Sequence, residues 1–259
     1  MTATLAKLLV EQAVVFAWVL GRIAGFLVTA PLPGNEVPQT ARVSFALALA
    51  WVVSGYATPA APVLDLNLAT VMVVAAELGC GLAMGFVFRL LLGVSDTAGD
   101  MIAHAIGLQS GAIFSPTTGS TDPTLSRIIS LAAMLLAVGI GAHRVALAHV
   151  LESFRVLPVG TPLFIGAAGP TVAALVGELL ATSLRLALPV VAVCLLTQLG
   201  LALIARSAPS MQIFSVGLAV TLGAGLVTLM AAAGGLGAGF ARTLSTLPTE
   251  LGRLLLLLR

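Results

Sequence analysis

Apolar residues run along this chain in long segments, at roughly 8–30, 41–57, 68–94, 125–150, 171–205 and 211–232. Each approaches or exceeds the roughly 20 residues that a helix needs to cross a hydrocarbon core. The pattern therefore predicts an all-α membrane protein with about six hydrophobic helical segments. The second segment is short. The third is long enough to tilt or to extend past the bilayer. The fifth carries Pro189 near its middle, where the lost backbone donor predicts a kink or a break. The first segment contains Glu11 and Arg22 and is too long for the core of a signal peptide, so it is read as a retained span.

Turn-forming clusters separate the segments: Ala30-Pro31-Leu32-Pro33-Gly34-Asn35, Thr58-Pro59-Ala60-Ala61-Pro62 and Leu157-Pro158-Val159-Gly160-Thr161-Pro162. The longest polar stretch, Ser95 to Ser126, starts as an amphipathic helix to about Leu108 and continues as a Gly-, Ser- and Thr-rich segment to Pro123. The tail from Leu251 is apolar and predicts an interfacial or packed helix. Small residues recur four apart at Gly21/Gly25, Gly81/Gly85, Gly107/Gly111 and Gly235/Gly239, a spacing that lets helix backbones approach closely.

Composition sharpens the membrane reading. Hydrophobic residues make up 59% of the 259 residues and charged residues 8%, with a mean hydropathy of +1.13. A soluble domain carries about 25% charged residues to cover its surface. The net charge of +2 and the 5% aromatic content do not suggest a nucleic-acid partner. Arg42, Arg127, Arg155, Arg206 and Arg242 are spread over nearly every loop, so the positive-inside rule gives no clear orientation.

Several charges interrupt apolar segments: Glu11, Arg22, Glu77, Arg89, Glu178 and Arg185. Such groups are costly at membrane depth and face a partner or water, or snorkel from near the interface. Glu77 is the most isolated, and an interior partner is expected for it. Glu178 and Arg185 share a helix face about two turns apart and could meet through water or a third group. Cys80 and Cys194 read as small buried hydrophobes. His104, His143 and His149 form no HExxH motif, and no Gly-x-Ser-x-Gly elbow, Walker loop or GxGxxG is present. No catalytic residue, cofactor or metal ligand set is expected. The segment Gly107 to Pro123 combines permissive small residues with an apolar Ile113-Phe114 pair, which fits a surface loop or a moving element.

Seven elements, in order along the chain, resemble one family. They are Gly21-Arg22-Ile23-Ala24-Gly25-Phe26-Leu27 with Ala30-Pro31-Leu32 and Val37-Pro38; Glu77-Leu78-Gly79 with Gly85-Phe86-Val87-Phe88-Arg89-Leu90; Ala98-Gly99-Asp100; and Gln109 to Gly111. His143 with Ser153-Phe154 and Leu157-Pro158-Val159-Gly160 comes next. Leu186-Ala187-Leu188-Pro189-Val190 and Ala205-Arg206-Ser207-Ala208-Pro209 with Gln212-Ile213-Phe214-Ser215-Val216-Gly217 close the series. Together they resemble the flagellar FliR family, the R/T component of type III secretion export gates.

That resemblance implies a non-catalytic subunit of an inner-membrane protein export gate at the flagellar basal body. Its implied partners are the P and Q components, the B component, and unfolded exported proteins. It implies a P-like part over about 1–165 and a Q-like helical hairpin over about 166–259. It also implies that the loop after the Gln-x-Gly element is a plug, mapped here to Gly111, Ile113, Phe114, Pro116, Asp122 and Pro123. Arg22, Glu77, Arg89, Gln109, His143, Glu178, Arg185 and Arg206 are then the expected buried polar or assembly residues, with Pro189 as the kink. One departure bears on the register of the plug: the family's Phe-bearing segment ends in Asp-Pro, whereas here Ser115-Pro116 precedes Asp122-Pro123 by seven residues. Two other readings stand beside this one: an injectisome homologue, and a small-solute transporter built on Pro189, Glu178 and Arg185.

Overall fold

A computed structural model describes residues 2–30, 38–57, 68–107, 124–161, 165–207 and 213–258. Every regular element among them is a helix. In chain order these are α1 (Thr2–Thr29), α2 (Gln39–Ser54), α3 (Leu68–Ile106), α4 (Thr124–Ile140), α5 (Ala142–Val156), α6 (Ile165–Ser207), α7 (Ile213–Ser245) and α8 (Leu247–Leu258). Among the described residues four stretches are long and apolar enough to cross a membrane: Val10–Thr29, Thr70–Ile106, Gly169–Arg206 and Val216–Leu258. The pair α4 and α5 would make a fifth if it acted as one span. The chain is an all-α membrane protein.

Three boundaries differ from the sequence pattern. The apolar run 125–150 is two helices, divided at Gly141, whose φ of +79° is open to glycine and strained for other residues. The third apolar segment and the amphipathic stretch after it form one helix of 39 residues, about 58 Å long. At Pro189, where a kink or a break was expected, the helix is not broken: α6 continues through it as one element of 43 residues, and Pro189 lies on an exposed face. A lipid-phase helix can absorb one missing donor.

Contacts divide the chain into two compact units. The first comprises Met1–Leu91, Gly141–Leu175 and Ser245–Arg259; the second comprises Leu92–Ile140 and Val176–Leu244. In the first unit α1 packs on α2 and α5 packs on α8. The tail helix α8 repeats its apolar side chains at helical spacing and buries Leu247, Leu251, Leu254, Leu255 and Leu258. Two small-residue pairs explain how closely α1 and α3 approach. A Cβ added at Gly25 would collide with the Leu78 carbonyl, one at Gly81 with the Arg22 carbonyl, and one at Gly85 with Thr29 Oγ1. The Thr29 hydroxyl bonds across the same seam to the Leu82 carbonyl at 3.1 Å.

The second unit contains the end of α3, all of α4 and most of α6 and α7. Here α6 and α7 run antiparallel. A Cβ at Gly217 would touch Leu201, one at Gly225 would press on Cys194, and one at Gly239 would clash with Leu186. Many apolar side chains on these two helices stay uncovered, among them Leu196, Leu199, Leu203, Val227 and Met230.

Candidate functional site

The most connected polar group of the first unit is centred on Arg22, which is fully buried in α1. Its Nε donates to Glu77 Oε2 on α3 at 2.6 Å. Its Nη1 donates to Ser153 Oγ on α5 and to the Leu157 carbonyl, each at 3.1 Å. Its guanidinium carbon stands 4.5 Å from the centroid of the Phe154 ring, close enough for a cation–π contact. The second carboxylate oxygen of Glu77 accepts from the Gly160 backbone N–H at 3.0 Å. One ion pair thus joins α1, α3, α5 and the turn after α5.

Local structure makes this arrangement possible. Gly81 lets α3 come against the Arg22 backbone, so a carboxylate one turn earlier lies within reach of the guanidinium. Gly160 holds φ at +89°, and a Cβ there would stand 3.2 Å from the Trp18 ring. The turn can therefore aim its N–H at Glu77 while lying flat on Trp18. Arg22 Nη2 and Trp18 Nε1 are buried without a hydrogen-bond partner among the described residues.

A buried ion pair of this kind offers substrate no approach. It neutralises two charges that would be intolerable alone in an apolar setting, and it links segments distant in sequence. No group of three or more His, Cys, Asp or Glu side chains suited to a metal occurs among the described residues. The two cysteines are buried and free, one in each unit. A groove of about 330 Å³ between α1 and α2, lined by Leu27, Val28, Arg42, Val43 and Ala46 among others, brings no chemical constellation together.

The other candidates are dispersed. Arg89, Glu178, Arg185 and Arg206 are exposed. Glu178 and Arg185 make no ion pair with each other, although they share a helix. His143 is half-buried, and its Nδ1 has no hydrogen-bond partner among the described residues. Gln109, Gly111, Ile113, Phe114, Pro116, Asp122 and Pro123 lie outside the described residues. A transporter site at Pro189 would use unwound backbone carbonyls, and the continuous α6 has none there.

Sequence reasoning did not single out Ser153, Phe154 and Gly160 as parts of the Arg22 site, although all three lie in the segment that carried the resemblance. It also passed over a second polar contact. Ser126 Oγ donates to Asp100 and Ser130 Oγ to Asp96, joining α4 to α3 in the second unit. The shared spacing of four residues on both helices of that contact was the available signal.

The fold and the site together define an all-helical membrane protein with a buried ion pair among its helices. Comparison narrows it. The family described as "Bacterial export proteins, family 1" matches residues 13–247, and the chain belongs to it. Relatives named "Flagellar biosynthetic protein FliR" are similar to it. The one from Escherichia coli (strain K12) is 27% identical over 84% of this chain and 83% of its own length. That of Pectobacterium carotovorum subsp. carotovorum is 29% identical over 83% and 82%, and that of Bacillus subtilis (strain 168) is 26% identical over 83% and 84%.

Proposed function

We propose that this chain is the R component of a flagellar type III protein export gate, acting without catalysis in the bacterial inner membrane at the basal body. The observation that carries the reading is the family match over residues 13–247 together with FliR-named relatives in distantly related bacteria. The partners on this reading are the P, Q and B components and the unfolded proteins that pass through the gate. The part over about 1–165 corresponds to a P-like fold and the part over about 166–259 to a Q-like hairpin. This is a division by family likeness, distinct from the division by packing.

The mechanism is physical. Apolar, closely packed helices exclude water and ions from a narrow passage, since an apolar constriction resists hydration. Segment 111–123 closes that passage, with Ile113 and Phe114 as its apolar tip, and moves aside for an extended polypeptide. The buried pair of Arg22 and Glu77 keeps the surrounding helices in place while it moves.

Shortening residues 111–120 tests this reading. The variant is expected to co-purify with its apolar helical partners in mild detergent and to make cells leaky to ions and small solutes. Unchanged permeability in the correctly assembled variant removes the plug role. Recovery of the chain as a homo-oligomer without flagellar partners removes the export-gate role altogether.

A further inference from the structure

The second unit carries a feature that the gate reading leaves unused. Asp96 and Asp100 lie one turn apart on α3, and Ser130 and Ser126 lie one turn apart on α4. The pairs run in opposite directions, Asp96 with Ser130 and Asp100 with Ser126, so they form the two rungs of an antiparallel ladder. Gly99 brings the backbones together between the rungs. A Cβ there would stand 3.2 Å from Ser126 Oγ, 3.3 Å from Ser126 Cα and 3.4 Å from Ile129 Cβ.

Two rungs one turn apart fix both the axial register and the rotation of α4 against α3. A slip of one turn, about 5.4 Å, would leave one carboxylate without its hydroxyl partner and drive Gly99 against a different residue. Serine–carboxylate bonds are charge-assisted and stronger than neutral ones.

The end of α3 is held by other contacts as well. Ile106 is fully buried, and a Cβ at Gly225 of α7 would stand 2.5 Å from its Cγ1. Gln198 Nε2 of α6 donates to the Ala105 carbonyl at 3.4 Å. Helix α3 then stops at Gly107, with φ of +86° and its N–H on the His104 carbonyl at 3.0 Å. Helix α4 begins at Thr124, two residues before the first rung serine.

We infer that Asp96, Asp100, Ser126 and Ser130 are positioning residues of the gate. They hold residue 107 and residue 124 in one fixed relation, and the α3–α4 pair keeps a single register throughout export. The inference rests on the gate reading above, because it concerns the base from which segment 108–123 departs. It identifies which part of the second unit stays still.

The decisive experiment locks one rung covalently. Asp96→Cys with Ser130→Cys, in a background where Cys80 and Cys194 are alanine, is oxidised in membranes and compared with its reduced form. Export by the cross-linked form is expected to stay within about twofold of the reduced form, because a locked rung holds the register the pair already keeps, whereas a loss of about tenfold or more overturns the inference.

A second variant removes the ladder. Asp96→Ala with Asp100→Ala is expected to leak solute or to lose export by about tenfold, with Asp96→Asn and Asp100→Asn closer to wild type because an amide oxygen still accepts from serine. Wild-type export and a tight membrane in the alanine pair overturn the inference. If the alanine pair does not accumulate, the cross-linked variant decides alone. Shortening 111–120 and recovery of partners separate the two claims. A homo-oligomer without flagellar partners sinks the gate reading, while leakage in the shortened variant with none in the alanine pair sinks the ladder alone.

Discussion

The two units use helices of similar composition and hold them by different means. In the first, half of the most apolar window of α1 is buried, and at its centre an arginine is bonded to a carboxylate, a hydroxyl and a carbonyl from three other parts of the chain. In the second, only 17% of the corresponding window of α6 and 11% of the window beginning in α7 are buried. Its polar contacts lie on an exposed face rather than in a core, since Asp96 and Asp100 are both exposed. Lipid tails are as apolar as leucine, so no hydrophobic force drives helix against helix within a bilayer, and packing and hydrogen bonds must do so. The first unit finds these within its own chain. The second leaves wide apolar faces to be met by lipid or by other chains.

The contrast can be broken most directly at its polar centre. Arg22→Ala leaves Glu77 buried and unpaired, and removing one member of a buried pair costs about 3–5 kcal/mol. The variant is expected to disappear from membranes by immunoblot, while Arg22→Met combined with Glu77→Leu recovers much of the lost protein. Equal loss in the single and the double variant would show that the charges matter for something other than each other.

Gly81→Val comes next. It forces α3 off the Arg22 backbone, and overpacking of this kind costs about 1–3 kcal/mol. A lowered thermal midpoint of the purified protein in detergent is the expected readout. An unchanged midpoint would mean that α1 and α3 are less tightly seated than the glycine geometry requires.

The smallest effect sharpens the comparison from the other side. Leu199→Ala on the uncovered face of α6 is expected to shift the stability of the isolated chain by no more than about 0.5 kcal/mol, as for surface positions generally. The same change should weaken recovery of the assembled complex. A large loss in the isolated chain would mean that this face is already covered within the protein.

The helical class was legible because lipid leaves a sequence few options: long apolar runs, few charges and turn clusters between them. Boundaries were less legible where local signals were equivalent. Gly139 and Gly141 look alike in the sequence, yet only Gly141 turns to positive φ and divides the run into α4 and α5. Each charge in an apolar segment could be singled out, but its partner could not, because Arg22 and Glu77 are 55 residues apart and meet only through tertiary packing. Glu178 and Arg185 show the converse, since their shared helix face did not bring them into contact. The apolar tail announced a helix, and its seat on α5 depended on a surface distant in sequence.

The buried pair also has a consequence for how the protein is made. A ribosome adds about 5–20 residues per second, so Arg22 emerges several seconds before Glu77 exists. An arginine at the centre of a membrane helix costs about 2.5–3.5 kcal/mol on insertion scales. The first helix therefore carries an unbalanced charge while the second is made, and that cost is relieved once the third arrives with the matching carboxylate. The ion pair thus couples the first helix to the third across the synthesis of the second.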